Sequence, residues 1–308
     1  MLEVRRLRLL HALAHHGTVT AAAESLHLTG PAVTQQLAVL EKEVGVRLTE
    51  RDGRRLRLTE AGQVLLGHTE ILLDQLASAE ADLVALRTEV RGTVRIGAFT
   101  SSIVALVPQA LAAVRARHQD RLALHLTEVD VQESQAMLCR GELDIALVHS
   151  YDMEPWEPPP ACERHPLFSG PLGVVVPADD PLASTVQPTD PLDLALLASH
   201  PWITDTPRTE CHETLRRLCA QAGFVPRVTA HCNDITATLA LVAAGLGVAA
   251  LPWNPICANW PGVALRRMAQ VEQRHVFAVT RRSGNRHPAV QVVLEALQEA
   301  APTAQYLR

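Results

Sequence analysis

Aromatic residues are scarce, 3% of 308 residues, which argues against a protein that reads single-stranded nucleic acid by stacking bases on a row of rings. No charge-free apolar run is long enough to cross a bilayer, and the first ten residues carry arginines rather than the apolar segment of a secretory leader. A cytoplasmic protein with no membrane partner is expected. The cysteines Cys139, Cys162, Cys211, Cys219, Cys232 and Cys257 contain no CxxC pair, so no disulfide framework is expected. HExxH, GxSxG, a P-loop and a fitting GxGxxG are also absent, which leaves no candidate catalytic residue, no cofactor, no metal-ligand motif and no enzyme reading.

What is present is a chain 47% hydrophobic and 20% charged, long enough for more than one packed domain. The net charge of −5 is uneven: residues 1–60 hold 9 Lys and Arg against 7 Asp and Glu, and the acidic excess lies beyond them.

Leu7, Leu10, Leu13 and Ala14 recur at helical spacing, and His15-His16-Gly17 closes that helix. A short second helix follows Thr18. Thr29-Gly30-Pro31 then opens a third, with threonine suited to the cap and proline to the first turn, running to about Glu43. Val33, Leu37 and Leu40 share one face of it, while Pro31, Thr34, Gln35, Ala38 and Lys42 face the other way. Asp52-Gly53 marks a turn, and Arg55 to Leu58 alternate with period two, as in a small hairpin. A long helix follows, with Leu65, Thr69, Leu72, Leu76, Ala79, Leu83 and Leu86 at spacings of four and three, a seam suited to pairing two chains. An intramolecular packing is its plainer reading.

Beyond Arg91 the pattern alternates. Strands are expected at 94–99, 122–129, 144–148, 172–176, 202–204, 228–230, 248–251 and 276–280, with a helix over 102–118 and others between most strands, an α/β arrangement. The run Pro155 to Pro160 fits either a crossing between two lobes or a surface loop.

The run from Gly17 through Ala21-Ala22-Ala23-Glu24-Ser25-Leu26 to Thr29, then Pro31-Ala32-Val33-Thr34-Gln35-Gln36-Leu37 and Leu40-Glu41, resembles the helix-turn-helix signature of the LysR family. The likeness continues through Leu48, Glu50-Arg51, Arg54-Arg55, Leu58-Thr59 and Ala61-Gly62, and resumes at Val242-Ala243-Ala244-Gly245-Leu246-Gly247-Val248 and Leu251-Pro252. Gly30, Thr34-Gln35 and Thr49 depart from it, standing where glutamine, Ser-Arg and phenylalanine are frequent.

The resemblance implies a winged helix-turn-helix over 1–59, a linker dimerisation helix over 60–90 and a two-lobed, periplasmic-binding-protein-like α/β effector domain over 91–308, with lobe I about 91–160 and 266–308 and lobe II about 161–265. The implied function is promoter binding modulated by a small polar or anionic effector in the inter-lobe cleft. The implied partners are double-stranded promoter DNA, RNA polymerase and further copies of the chain, in a homodimer or homotetramer.

The N-terminal part of a recognition helix meets base edges in the major groove. The DNA candidates are therefore Thr29, Gly30, Pro31, Thr34 and Gln35, with Gln35 able to pair with adenine and the Thr34 methyl or Pro31 able to touch a thymine methyl. Gln36, Arg51, Arg54 and Arg55 are assigned to phosphates or the minor groove. A plain solvated face is the competing reading of those arginines.

For the effector, hydroxyls at a strand-to-helix junction favour an anion, which singles out Thr100, Ser101 and Ser102, though helix capping uses the same atoms. His149, Thr204 and Asp205 follow expected strands, and Asn233 precedes an expected helix. Two other sensing modes remain open. A redox pair Cys211/Cys219 would sit about 12 Å apart on one helix, and a metal set would use Cys211, His212, His231 and Cys232.

Overall fold

The computed structural model describes residues 2–52, 55–85, 90–185 and 190–301. Three helices build the head: α1 (Val4–His16), α2 (Val19–Ser25) and α3 (Gly30–Val44). Gly17 ends α1 and Gly45 ends α3 with φ of 69° and 75°, left-handed positions that cost a side chain energy and glycine almost none. Leu7, Leu10 and Leu13 of α1 meet Ala22 of α2 and Val33, Leu37 and Leu40 of α3 in one core.

An antiparallel hairpin follows, β1 (Thr49–Asp52) against β2 (Arg55–Leu58), and then the helix α4 (Glu60–Ala85). Glu41 ties this wing to α3, because its Oε1 accepts the backbone N–H groups of Leu48 and Thr49, each at 2.8 Å, and the Thr49 hydroxyl at 3.0 Å. Gly62 sets the start of α4 against the wing: a Cβ there would lie 2.1 Å from the Leu48 carbonyl oxygen. Only glycine permits that approach.

The remainder is an α/β unit. It begins β3 (Gly92–Ala98), α5 (Thr100–Ala105), α6 (Val107–His118), β4 (Leu122–Glu128), α7 (Val131–Cys139), β5 (Ile145–Tyr151), with β4 and β5 parallel to β3 on its two sides. It continues β6 (Cys162–Pro177), α8 (Pro181–Thr185), β7 (Pro201–Thr204), α9 (Glu210–Gln221), β8 (Arg227–His231), α10 (Ile235–Ala243), β9 (Ala249–Pro252), α11 (Pro255–Ala258), β10 (Val263–Arg267), β11 (Gln273–Arg281) and α12 (Pro288–Ala300). Seven strands form a curled sheet in the order β10-β6-β11-β5-β3-β4, with β9 also on β6, while β7 and β8 pair separately in parallel.

Strand β6 belongs to two lobes. Cys162 to Pro171 pair with β11, and β11 in turn pairs with β5, whereas Leu172 to Pro177 pair with β9 and β10. On the second stretch Val174 and Val176 point into a core with Trp202, Leu218 and Val248, and Val175 points into another with Ile203, Leu239 and Leu251. This is the period-two alternation of a strand covered on both faces.

Three expectations change here. The run Pro155–Pro160 is a loop between β5 and β6, and the passage between lobes occurs inside β6 near Leu172, so residues 162–171 lie in the sheet of the first lobe rather than the second. Prolines 166 and 171 hid this strand; Pro166 is tolerated because the register shifts there, leaving Leu167 as an extra residue in a bulge. The helix expected over 102–118 is two helices broken at Leu106 (φ −126°, ψ −53°), because Pro108 suits only a first turn and disfavours helical geometry in the residues before it. Strand β10 was not anticipated.

Candidate functional site: a cleft and a reading head

Between the two lobes lies a cavity of about 590 Å³, bordered by the starts of α5, α7, α9 and α10 and by strands β5 and β11. It gathers Thr100, Ser101, His149, Asp205 and Asn233 of the sequence candidates. Thr204 and Ser102 are buried outside its lining: the Thr204 carbonyl accepts the Cys232 N–H at 2.8 Å, and the Ser102 hydroxyl bonds back to the Phe99 carbonyl at 2.7 Å. Both behave as structural groups.

The most consequential residue of the cavity is Arg274, which the sequence reading missed. It leaves β11 at the lobe crossing and is only 8% exposed. Its guanidinium lies 4.7 Å above the Phe99 ring and donates to the Ser101 hydroxyl at 3.2 Å, while its Nε has no hydrogen-bond partner. Among the described residues no carboxylate forms an ion pair with it. A buried cation without a direct ion-pair partner is expensive, so a counter-ion that enters the cavity beside it is stabilised. In the sequence it stands two residues before the strand expected at 276–280, where pattern reading assigns a charge to the solvent side.

His149 lies edge-on to Phe99 and Tyr151, with ring centroids 4.9 and 5.5 Å away. Burial, and then the Arg274 charge, hold its imidazole well below the ordinary range, so it is neutral at physiological pH. Its Nδ1 is buried without a partner. Tyr151 shares a hydrogen bond with Cys211 Sγ at 3.0 Å. Burial pushes the Asp205 carboxyl up from its ordinary range, outweighing the opposing pull of Cys211 and Arg274.

The rim is braced within each lobe and once across the cleft. Asn233 Oδ1 accepts the Thr206 N–H at 2.8 Å, and its Nδ2 donates to the Thr206 hydroxyl at 3.2 Å. Gln132 of the first lobe donates to the Arg208 carbonyl of the second at 3.4 Å. Thr100 donates to Glu128 Oε1 at 2.6 Å, which orients it along the opposite wall.

In the head, Thr29 caps α3 through the Ala32 N–H at 3.4 Å, and Pro31, Thr34 and Gln35 stand exposed on its outer face. Gly30 is not forced by crowding, since a Cβ would meet only Val19 Cγ1, at 3.8 Å. Gln36 is half-buried and accepts Arg6 Nε at 3.1 Å, so one end of its amide is already engaged. Arg51 and Arg55 occupy β1 and β2, and Arg54 lies outside the described residues. The long-helix seam divides: Leu65 packs on the head core and Thr69 is buried, whereas Leu72, Leu76 and Leu83 are exposed; Leu86 lies outside the described residues.

The other sensing sets fare differently. Cys211 and Cys219 are both on α9. Burial pushes the Cys211 thiol far above its ordinary range and Cys219 to about 12, protonated and poorly nucleophilic forms. Among the described residues Cys211, His212, His231 and Cys232 do not bring three ligand atoms together.

A three-helix reading head, a long helix and a two-lobed domain around a cleft that holds a buried arginine define a ligand-responsive DNA-binding regulator. Family models for the "Bacterial regulatory helix-turn-helix protein, lysR family" and the "LysR substrate binding domain" match residues 4–63 and 87–302. The chain belongs to the LysR family: it is a DNA-binding transcription regulator with an effector-binding domain, and not an enzyme. It is 31% identical over 278 residues to the Hca operon transcriptional activator HcaR of Escherichia coli K12, covering 86% of this chain and 90% of that protein. It is 30% identical over 302 residues to the regulator CbbR of Xanthobacter flavus, covering 96% and 87%. A full-length OxyR variant from Pseudomonas aeruginosa shares the fold with a TM-score of 0.70 at 24% identity, covering 98% of this chain and 100% of that one. CbnR bound to its target DNA shares it with a TM-score of 0.56 at 23% identity, covering 97% and 100%. No helix among the described residues is long and apolar enough to cross a membrane.

Proposed function

We propose that this regulator responds to a small anionic effector, a carboxylate in the first instance, held in the inter-lobe cavity by Arg274. The buried guanidinium without an ion-pair partner supports this reading. Ser101, Thr100 and Asn233 supply neutral hydrogen bonds, and His149 and Tyr151 an uncharged aromatic wall. Asp205 disfavours a second negative charge at its end of the cavity or accepts a donor there. Ser102 and Thr204 are support groups behind it. The residue assignment divides the chain into a reading head over 1–59, a linker over 60–90 and a sensing domain over 91–308.

Thr29, Gly30, Pro31, Thr34 and Gln35 read base edges, and Gln36, Arg51, Arg54 and Arg55 hold phosphates. The exposed Leu72, Leu76 and Leu83 pair two chains, and dimers place two heads on two half-sites of promoter DNA, beside RNA polymerase. Effector binding shifts the lobe equilibrium and with it the spacing of the heads.

The test measures thermal stability with a panel of small carboxylic acids and their uncharged amides, for the wild type and Arg274→Gln. At least one acid is expected to stabilise the wild type in a saturable way, by about 2.7 kcal/mol at a hundredfold excess over its Kd, with its amide and the variant silent. Equal stabilisation of wild type and variant, or by amides alone, overturns the assignment of Arg274.

A further inference from the structure

We infer that His11, His15 and Glu70 form a binding site for one borderline divalent transition-metal ion, with zinc the best match, clamping helix α1 of the head to helix α4. Among the described residues this is the only group of three such side chains whose ligand atoms all lie within 4.8 Å of one another. The two histidines stand four residues apart, one turn along the same face of α1, with ring centroids 4.3 Å apart. Glu70 approaches from α4, its Oε1 3.4 Å from His15 Nε2. That Nε2 is buried and faces the carboxylate at ion-pair distance, with no shorter hydrogen bond to another group among the described residues. Zinc bonds of about 2.0–2.2 Å need the side chains to draw in by roughly an ångström, leaving a fourth position for water.

Neutral imidazole is the ligating form. Both imidazoles and the carboxylate are partly buried between the two helices, which limits competition from water. His16, Arg140 and Arg281 contribute positive charge nearby. Arg281 is turned to the Leu138 and Leu143 carbonyls and Asp144, and Arg140 to Glu133 and Glu142, which offsets their repulsion of a cation. Two imidazoles and a carboxylate favour zinc, cobalt or nickel over magnesium or calcium. Helix α4 also packs against the turn Gly284–Arg286 of the sensing domain. The ion would therefore stiffen the joint through which a sensing domain moves a head.

The experiment titrates zinc, and cobalt as its spectroscopic stand-in, into the untagged full-length protein, with His15→Gln, Glu70→Gln and Cys211→Ser alongside. One ion per chain is expected, with a cobalt spectrum of nitrogen and oxygen ligands, a raised Tm, at least about tenfold weaker binding in the first two variants and unchanged binding in Cys211→Ser. No stoichiometric ion, thiolate charge transfer in the cobalt spectrum, or undiminished binding in both ligand variants overturns the site. The wild-type spectrum decides the matter even where a variant fails to fold.

Discussion

At the scale of single residues, the motif that resembles the family holds two kinds of position. Gln35 is exposed on α3 and makes no side-chain hydrogen bond among the described residues. Gln35→Ala is expected to leave stability unchanged while relaxing base preference by about 1–3 kcal/mol at one position, measured by binding to single-base operator variants. Glu41 sits in the same stretch and does the opposite work, accepting two backbone N–H groups and a hydroxyl of the wing. Glu41→Ala leaves the buried Leu48 N–H without a partner and should cost about 1–3 kcal/mol in urea denaturation of the full chain. An unchanged midpoint would show that water replaces the carboxylate. Sequence reading could name both residues but not separate their roles, because the contacts of Glu41 are made to a hairpin that pattern alone does not fold against α3. Arg274 was invisible for the same reason: an arginine at the start of a strand is buried or solvated according to what packs above it, here Phe99 and Ser101.

At the scale of elements, α4 carries two faces. Its first turns are anchored through Gly62 on Leu48 and through Leu65 in the head core, and its later turns expose Leu72, Leu76 and Leu83. Replacing Leu72 and Leu76 together by Glu is expected to shift the protein to monomers in sedimentation while keeping the circular dichroism of the folded head. Retention of the dimer would move the interface off this helix. The seam was legible as a period of three and four, yet its division into an inward and an outward half was not, since that depends on where the head core ends. The bulged first half of β6 was hidden by prolines, and the break at Leu106 was marked by one. In the strand proline interrupted the regular pattern, and in the helix it broke a run that the pattern had carried straight through.

At the scale of the whole molecule, several histidines are folded in neutral form, and this sets the response to acid. The His11 imidazole falls from 6.5 to about 4, and His149, buried beside Arg274, falls well below its ordinary range. In the unfolded chain these groups take up protons near pH 6.5, whereas the folded chain refuses them until far lower pH, so stability falls as pH drops from about 6.5 towards 4. Thermal melts across that window should show the loss, and His11→Gln should reduce its slope; an identical slope would place the effect elsewhere. Binding to DNA should weaken as salt rises, and Arg55→Ala should lower the log–log slope by about 1 without changing which sequence is preferred, as read by footprinting.

The amino-acid sequence by itself determined the three helices of the head, the outward set Pro31, Thr34 and Gln35, the long helix and the alternation of strands and helices behind it. Each of these rests on spacing along the chain, capping residues and turn chemistry, which are local. What only the tertiary structure decided is which of the scattered polar groups meet. Thr100, Ser101, His149, Asp205 and Asn233 line one cavity while Ser102 and Thr204 stand behind it, and β6 passes between lobes beside the start of β11, where Arg274 faces inward. His11, His15 and Glu70 converge for the same reason, since α4 folds back along α1. Those meetings are made by sheet register and by the packing of helices distant in sequence, and no window along the chain contains both partners.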